Sequence, residues 1–168
     1  MKTVNIGIIG FGTVGAGVAE TIINNGKLIA DRTGFMPVLK RVADLDITTD
    51  RGVVLPEGVL TTSSMEILDD PDIHIVVELI GGYSPARELV LKAIENGKHV
   101  VTANKALIAM HGNEIFEAAQ QKGVTVAFEA AVAGGIPIIK AVREGLAANH
   151  IEWIAGIING TGNFILTE

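Results

Sequence analysis

Short apolar runs alternate along this chain with segments in which apolar residues recur every three or four positions. The runs have the length and composition of buried strands, and they cover residues 4–9, 38–43, 73–80, 99–102, 124–128 and 151–158. In the clearest intervening segment, 86–94, the apolar positions fall on one face of a helix. Strands that alternate with helices predict an α/β fold, a doubly wound Rossmann-type parallel sheet with helices on both faces.

Capping residues and glycines predict where these helices begin and end. Ser84 and Pro85 predict the N-cap and first position of a helix that ends at Gly97. Residues 63–66 have the pattern of a capping box, which predicts a short helix reaching Asp70. Other helices are expected along three apolar seams: Val14, Val18 and Ile22, ending near Gly26; Ile115, Ala118 and Ala119, ending near Gly123; and Ile138, Val142 and Leu146. The polar stretch 44–58 is the expected mobile loop.

The first strand leads directly into a glycine-rich turn at the start of a predicted helix. The turn follows the G-x-G-x-x-G pattern, with residues Gly10, Phe11, Gly12, Thr13, Val14 and Gly15. The first glycine permits a tight turn, the second lets a pyrophosphate approach the backbone, and the third lets helix and strand pack closely. The helix start adds free N–H groups and the positive end of the helix dipole. The motif therefore predicts a dinucleotide-binding site.

The choice between NAD and NADP depends on the charged residues near the end of the second strand. Asp44 lies 29 residues after Gly15, with residues 27–36 interpreted as an insertion, and a carboxylate there can bind the ribose 2′-hydroxyl. Arg41 and Arg51 could instead bind a 2′-phosphate, because a guanidinium matches phosphate geometry, or they could be solvated loop charges. The sequence leaves the cofactor as NADP or NAD.

Two further strand ends carry candidate chemistry, since ligands of such sheets gather at the carboxyl ends of the strands. Gly81 and Gly82 could let the backbone pass close to the cofactor, or they could form a plain turn. Lys105 follows another strand and would enter the crevice, where a lysine can hold a substrate oxygen or help to move its proton. The alternative for Lys105 is an ordinary surface charge.

Glu129 stands in an apolar segment and therefore needs a partner, because burying an unpaired carboxylate is costly. One candidate partner is a cation, held by Glu129 together with carbonyl oxygens of the following turn. The other is a set of backbone N–H groups at the start of the next helix. The sequence leaves both open.

Composition excludes several classes of function. The net charge of −6 argues against a nucleic-acid or anionic-membrane surface, which would need clustered lysine and arginine. The absence of cysteine excludes disulfides and thiolate chemistry. No apolar run reaches the ~18 residues of a membrane span, and the N-terminus does not resemble a signal peptide. These features predict a cytoplasmic protein.

Five segments together resemble the homoserine dehydrogenase family. They are GFGTVG at 10–15, ELIGG at 78–82, VTANKAL at 101–107, FEAAVAGGIPII at 128–139 and NGTGNFIL at 159–166. They occur in the family's order and cover nearly the whole chain. The resemblance implies an oxidoreductase that interconverts L-homoserine and L-aspartate 4-semialdehyde by hydride transfer, on the route to threonine and methionine.

The resemblance also implies roles for individual residues. The glycine loop would contact the cofactor pyrophosphate and ribose, Gly81 and Gly82 would lie along the cofactor, and Lys105 would sit near the nicotinamide and the reacting hydroxyl. Gly160 would lie near the substrate. The family carries a monovalent cation, typically sodium, and its ligands here would be Glu129 and the carbonyl oxygens of Val132, Gly134 and Ile136.

The domain organisation is also inferred from the resemblance. Residues 1–150 are expected to form the NAD(P)-binding domain, and residues 151–168 to begin a hinge into a substrate domain that also forms a homodimer or larger homo-oligomer. The main acid/base lysine would lie beyond residue 168, so we expect a fragment that binds cofactor with negligible turnover. The alternatives are another dehydrogenase of amino or hydroxy acids on this scaffold and a non-catalytic dinucleotide-binding module.

Overall fold

The computed structural model describes residues 1–156, and its described part contains one six-stranded parallel sheet. The strands are β1 (Lys2–Ile9), β2 (Phe35–Ala43), β3 (Leu60–Thr61), β4 (Ile75–Glu78), β5 (His99–Thr102) and β6 (Val126–Ala127). Their order across the sheet is β3-β2-β1-β4-β5-β6. The sheet therefore grows outward in both directions from β1 and β4, as in dinucleotide-binding folds.

Helices cover both faces of this sheet, which confirms the predicted doubly wound architecture. The helices are α1 (Thr13–Thr33), α2 (Met65–Leu68), α3 (Ala86–Glu95), α4 (Lys105–Lys122) and α5 (Ile138–Lys140). A 3-10 turn covers Glu129–Ala131, and a π-helical turn, Ala141–Gly145, follows α5 directly. Within the described residues, no helix is both long and apolar enough to cross a membrane.

Two separate apolar cores lie on the two faces of the sheet. On one face, α1 packs Ala19 against Ile8 of β1 and Val42 of β2. On the other face, α2, α3 and α4 pack together, with Ile94 and Ile115 among their fully buried side chains. Because side chains of one strand alternate between the faces, β1 contributes to both cores and is held from both sides.

The first helix is longer than the sequence predicted. It passes Gly26 and ends at Gly34, whose φ of 79° and N–H bond to the Ala30 carbonyl oxygen (2.8 Å) terminate it. The predicted insertion at residues 27–36 is therefore the end of α1 together with the start of β2. Gly26 is buried, and a Cβ there would lie 3.7 Å from the Pro37 carbonyl oxygen, so this glycine lies at a packing contact inside the helix.

Other predicted boundaries also need correction. Pro85 is the N-cap of α3 rather than its first helical residue. The predicted capping box is absent at α2, since Ser64 makes no side-chain cap bond and Glu66 accepts the Thr61 hydroxyl instead (2.6 Å). The two-residue strand β3 was not predicted, because it is too short to show any periodicity.

The end of the described chain departs most from the predicted elements. The seam of Ile138, Val142 and Leu146 predicted one helix, but only Ile138–Lys140 is α-helical before the π-helical turn. Of the strand predicted at 151–158, residues 151–156 have no regular structure, and the remainder lies outside the described residues. The segment 44–58 is irregular, as the loop prediction requires, and its mobility stays a prediction.

Candidate dinucleotide-binding site

An open cavity of about 520 Å³ lies at the carboxyl ends of β1, β2 and β4. Its lining includes Gly10, Gly12, Asp44, Thr62, Ser64 and Gly81. The strand order reverses between β1 and β4, and parallel α/β sheets bind ligands in the crevice that such a reversal opens. The volume falls within the range of small-molecule sites. The cavity is thus lined by two glycines of the predicted loop, the predicted ribose-binding carboxylate and one predicted turn glycine.

The geometry of the glycine loop explains two of its glycines. A Cβ on Gly15 would lie 2.0 Å from the carbonyl oxygen of Gly10, so only glycine lets α1 approach the end of β1 this closely. Gly10 itself has a φ of 102°. Gly12 differs from both, because no atom beyond its neighbours in the chain lies within 4 Å of the position of its Cβ. Gly12 therefore lines open space where α1 begins and where the helix leaves N–H groups without intrahelical partners.

The middle residues of the motif divide between core and surface. The side chain of Phe11 is 4% exposed and packs in the core beneath the loop. Thr13 and Val14 are exposed at the first turn of α1. The buried side chain of Phe11 thus fixes the loop to the core, and the first turn of α1 stays accessible to a ligand.

Asp44 lines the cavity immediately after β2 and holds two backbone N–H groups. Phe11 donates its N–H to Oδ2 of Asp44, and Asp46 donates its N–H to Oδ1 (2.9 Å). These bonds orient the carboxylate between the glycine loop and the loop that follows β2. Each carboxylate oxygen retains capacity for a further donor, so the ribose hydroxyls of a nucleotide can still be bound.

The two candidate arginines are held outside the lining of this cavity. Arg41 donates to the carbonyl oxygen of Gly58, and its Nε lies 3.7 Å from a carboxylate oxygen of Glu66. Arg51 donates from Nη2 to Oδ2 of Asp46 at 3.2 Å.

Asp46 is well suited to retain Arg51. Hydrogen bonds from Thr49 and then Thr48 hold the pKa of Asp46 well below its usual value, so this carboxylate is ionised across the neutral range. A 2′-phosphate would have to compete with this pair for the guanidinium of Arg51.

The turn after β4 is organised by a buried carboxylate. Glu78 is fully buried, and its Oε1 accepts N–H bonds from Ile80 (2.9 Å) and Gly81 (3.4 Å). Its Oε2 accepts the hydroxyl of Thr102 at 2.6 Å. Thr102 is the register partner of Glu78 on β5, so this bond joins the ends of two neighbouring strands.

The predicted reactive lysine follows the next strand end. Lys105 is exposed at the first position of α4, and it is outside the residues that line the cavity. The preceding Asn104 is the N-cap, and its side chain accepts the N–H of Leu107 (3.0 Å). The same side chain donates to the carbonyl oxygen of Gly82 at 2.7 Å, which ties the start of α4 to the glycine turn.

Glu129 caps the next helical segment. Its two carboxylate oxygens accept the N–H groups of Ile139 and Lys140, both at 2.9 Å. This is the second of the two partners that the sequence left open. The predicted cation ligands Val132, Gly134 and Ile136 lie in the connecting turn, where the Ile136 carbonyl oxygen accepts the Ile138 N–H (2.8 Å). The oxygen donors suit a hard cation such as sodium, but the carboxylate already binds two N–H groups in this arrangement.

Sequence reasoning did not identify the network of Glu78, Thr102 and Asn104. The available signal was an acidic residue ending an apolar strand and a threonine ending the next one. Their pairing depends on the register between β4 and β5, which the sequence does not reveal. Gly160, the predicted substrate contact, lies outside the described residues.

Comparison with known proteins identifies the family to which this chain is similar. A family model described as the NAD-binding domain of homoserine dehydrogenase matches residues 10–129, and a second, described as homoserine dehydrogenase, matches residues 137–168. The chain is 58% identical to the homoserine dehydrogenase of Pseudomonas aeruginosa over all of its own length and 38% of that protein. It is 42% identical to the Bacillus subtilis enzyme, covering 39% of it. The chain thus spans about two fifths of the length of these curated relatives.

Solved structures extend the similarity to the fold. A crystal structure of a homoserine dehydrogenase from Thiobacillus denitrificans superposes with a TM-score of 0.91 at 59% identity, covering 99% of this chain and 38% of that one. A hyperthermophilic archaeal homoserine dehydrogenase in complex with NADPH superposes with a TM-score of 0.70 at 27% identity, covering 87% of this chain and 50% of that one. These matches do not favour a different dehydrogenase family or a non-catalytic module. The chain belongs to the homoserine dehydrogenase family and contains its NAD-binding domain.

Proposed function

We propose that this chain provides the nucleotide-binding part of an enzyme that interconverts L-homoserine and L-aspartate 4-semialdehyde, in the synthesis of threonine and methionine. The observation that supports the proposal best is the cavity between β1 and β4, where Gly12, Asp44 and Gly81 lie together. Bound NAD or NADP would supply hydride transfer at its nicotinamide. The protein would contribute to catalysis by positioning the cofactor and the substrate and by stabilising charge at the reacting atoms.

Each part of the cavity has a role in this proposal. The open space at Gly12 and the free N–H groups at the start of α1 would receive the pyrophosphate, since both are needed for close approach of an anion to backbone. Gly81 and Gly82, with φ values of 72° and 71°, would form the surface along the nicotinamide half.

We further propose that NAD is preferred over NADP. Asp44 lines the cavity, and a carboxylate near the ribose 2′-position accepts a hydroxyl but repels a phosphate. The cations that could offset this repulsion, Arg41 and Arg51, are both engaged by other groups. The archaeal relative bound to NADPH makes NADPH the necessary comparison ligand.

Lys105 is proposed to contact the reacting oxygen. Its ammonium group is exposed at the start of α4, and the N-cap Asn104 bonds to the turn that would lie along the cofactor. There it would stabilise negative charge on the substrate oxygen as the hydride is transferred. The family's main acid/base lysine and the groups that bind the substrate ammonium are expected outside this chain, so turnover should require the longer length of the relatives.

A sodium ion at Glu129, Val132, Gly134 and Ile136 is a further part of the proposal. It would require Glu129 to share its oxygens between the cation and the N–H groups of α5, which two lone pairs on each oxygen allow. Broadening of the ²³Na NMR signal by the wild-type chain, reduced in Glu129→Gln, would support the ion. Equal broadening by both would exclude Glu129 as a ligand.

Assembly and location are proposed from the family alone. We expect a homodimer or larger homo-oligomer in the cytoplasm, acting on a small-molecule substrate. Size-exclusion chromatography with light scattering on a protein of the relatives' length would test the assembly.

The function is tested by calorimetric titration of the 168-residue chain with NADH and with NADPH. Binding of NADH, with weaker binding of NADPH, is the expected result. Equal or stronger binding of NADPH would overturn the proposed preference. A protein of the relatives' length should then reduce NAD with L-homoserine, and an absence of turnover with L-homoserine, but turnover with another hydroxy amino acid, would overturn the proposed substrate.

A further inference from the structure

The buried carboxylate of Glu78 is the one acidic side chain that is completely inaccessible among the described residues. Such a group is stable only when its oxygens are saturated with donors. Ile80, Gly81 and Thr102 supply three donors, two from the turn after β4 and one from the end of β5. Nothing in the proposed chemistry uses Glu78 directly, because it does not line the cavity.

The hydroxyl of Thr102 relays this bond to the next element. It donates to Glu78, and it accepts the backbone N–H of Asn104 at 2.9 Å. The hydroxyl has only one proton, and the Asn104 N–H already donates to it. It can therefore make both bonds only when the oxygen of Glu78 is an acceptor, as in an ionised carboxylate.

Asn104 closes the loop of contacts. Its Oδ1 accepts the Leu107 N–H at the start of α4, and its Nδ2 donates to the Gly82 carbonyl oxygen. The path from Glu78 through Thr102 and Asn104 therefore returns to the turn that Glu78 itself holds. We call these three residues the strand-end triad.

We propose that the strand-end triad couples the glycine turn at 80–82 to the start of α4, so that a nicotinamide nucleotide bound at the turn sets the position of Lys105. The inference rests on the proposed function of the cavity and adds positioning residues to it. The triad touches neither the cavity nor the reacting groups, and it acts through Gly81, Gly82 and Lys105.

Asn104 offers the sharpest test, because its two bonds can be separated. Asn104→Ser retains a hydroxyl that can cap α4, but it is too short to carry the amide donor to Gly82. Asn104→Asp also retains the cap, and it replaces the donor with an oxygen that faces the Gly82 carbonyl oxygen. If Asn104→Ser and Asn104→Asp behave alike, the negative charge that the Asp variant adds cannot be the cause of weaker binding of the anionic nucleotide.

The readout is the NMR signal of Lys105 after reductive ¹³C-methylation, assigned with Lys105→Arg, together with NADH titration. In the wild-type chain, saturating NADH should shift the Lys105 signal. In both Asn104 variants we expect the shift to be lost and NADH affinity to fall about fivefold, the effect of losing one neutral hydrogen bond. Thr102→Val should behave like them, while Thr102→Ser, which keeps the hydroxyl, should behave like the wild type.

Lys98→Met is the matched control for lost buried hydrogen bonds. Lys98 is 3% exposed and donates to the Asp70 and Ile73 carbonyl oxygens, at the opposite end of β5 from the triad. Lys98→Met should lower the stability of the chain and leave the NADH-induced shift of the Lys105 signal intact.

The outcomes separate the inference from the proposed function. If the wild-type chain does not bind NADH, the proposed function of the cavity fails. If it binds NADH and the Asn104 variants keep the full Lys105 shift, the coupling is wrong and the triad is only structural. If Thr102→Val does not fold, the two Asn104 variants still decide, because their N-cap is preserved.

Discussion

The carboxylate of Asp44 accepts the backbone N–H of Phe11, which joins the end of β2 to the glycine loop across 33 positions of the chain. This bond orients the carboxylate that is proposed to bind the ribose, and it holds the loop that is proposed to bind the pyrophosphate. One residue thus supports both halves of the proposed site.

Asp44→Asn should change the cofactor preference. The amide keeps one oxygen acceptor but loses the charge that favours ribose hydroxyls and opposes a phosphate. We expect the ratio of NADH to NADPH affinity to fall by about tenfold, as for one charge-assisted hydrogen bond, measured by calorimetry. Asp50→Asn is the control, since it removes an equal charge from the same loop at an exposed position. A ratio that falls equally in both variants would contradict the assignment.

Gly12→Ala should weaken cofactor binding in a chain that still folds. A Cβ at Gly12 would meet no atom within 4 Å beyond its chain neighbours, so the chain should still fold, with a loss of at most about 1 kcal/mol from the poorer N-cap, but the methyl group would stand where the pyrophosphate must approach. We expect NADH affinity to fall by about tenfold or more, the loss of one or more hydrogen bonds to an anion. Gly17→Ala, also with no atom within 4 Å but inside α1, should bind normally and gain about 1 kcal/mol from helix propensity. Normal binding by Gly12→Ala would place the pyrophosphate elsewhere.

Gly15→Ala should affect folding itself. Its methyl group would lie 2.0 Å from the Gly10 carbonyl oxygen, so α1 must move away from β1. We expect a loss of about 3 kcal/mol in the free energy of unfolding, the upper part of the range for overpacking, measured by urea denaturation. A variant as stable as the wild type would show that the loop relaxes freely.

The ion pair between Lys40 and Asp70 should make the stability of the fold depend on pH in the acidic range. The Nζ of Lys40 donates to Oδ1 of Asp70 at 3.1 Å and lies 2.9 Å from Oδ2, and this hydrogen bond holds the pKa of Asp70 below its usual 3.8. A carboxylate whose pKa is lowered on folding stabilises the protein above its unfolded pKa, and the contribution disappears as the pH falls through the folded pKa.

Lys40→Met should therefore be less stable than the wild type at pH 6, and the two unfolding free energies should converge toward pH 2. Lys92→Met removes the exposed pair with Glu95 and should change stability little at either pH. A constant difference between wild type and Lys40→Met at all pH values would show that the contribution of Lys40 is packing alone.

Local patterns were sufficient for the fold and for the glycine-rich turn to which the proposal assigns the pyrophosphate. The spacing of Gly10, Gly12 and Gly15 predicted the strand-turn-helix unit, and the alternation of apolar runs predicted the parallel sheet, both of which the structure contains. These predictions succeed because neighbouring residues determine whether a segment forms a strand, a tight turn or a helix. Gly26 shows the limit, since a glycine alone does not reveal whether it ends a helix or packs against Pro37.

The tertiary structure decided which partners the polar side chains found. The sequence marked Asp44 and Glu129 as candidates, but it left open whether Arg41 and Arg51 would reach the cofactor and whether Glu129 would bind N–H groups. It did not indicate the bond between Glu78 and Thr102, which lie 24 positions apart. Strand and turn preferences depend on adjacent residues. The bonds from Phe11 to Asp44, from Thr102 to Glu78 and from Ile139 to Glu129 instead join residues 33, 24 and 10 positions apart, which only sheet register and loop packing bring together.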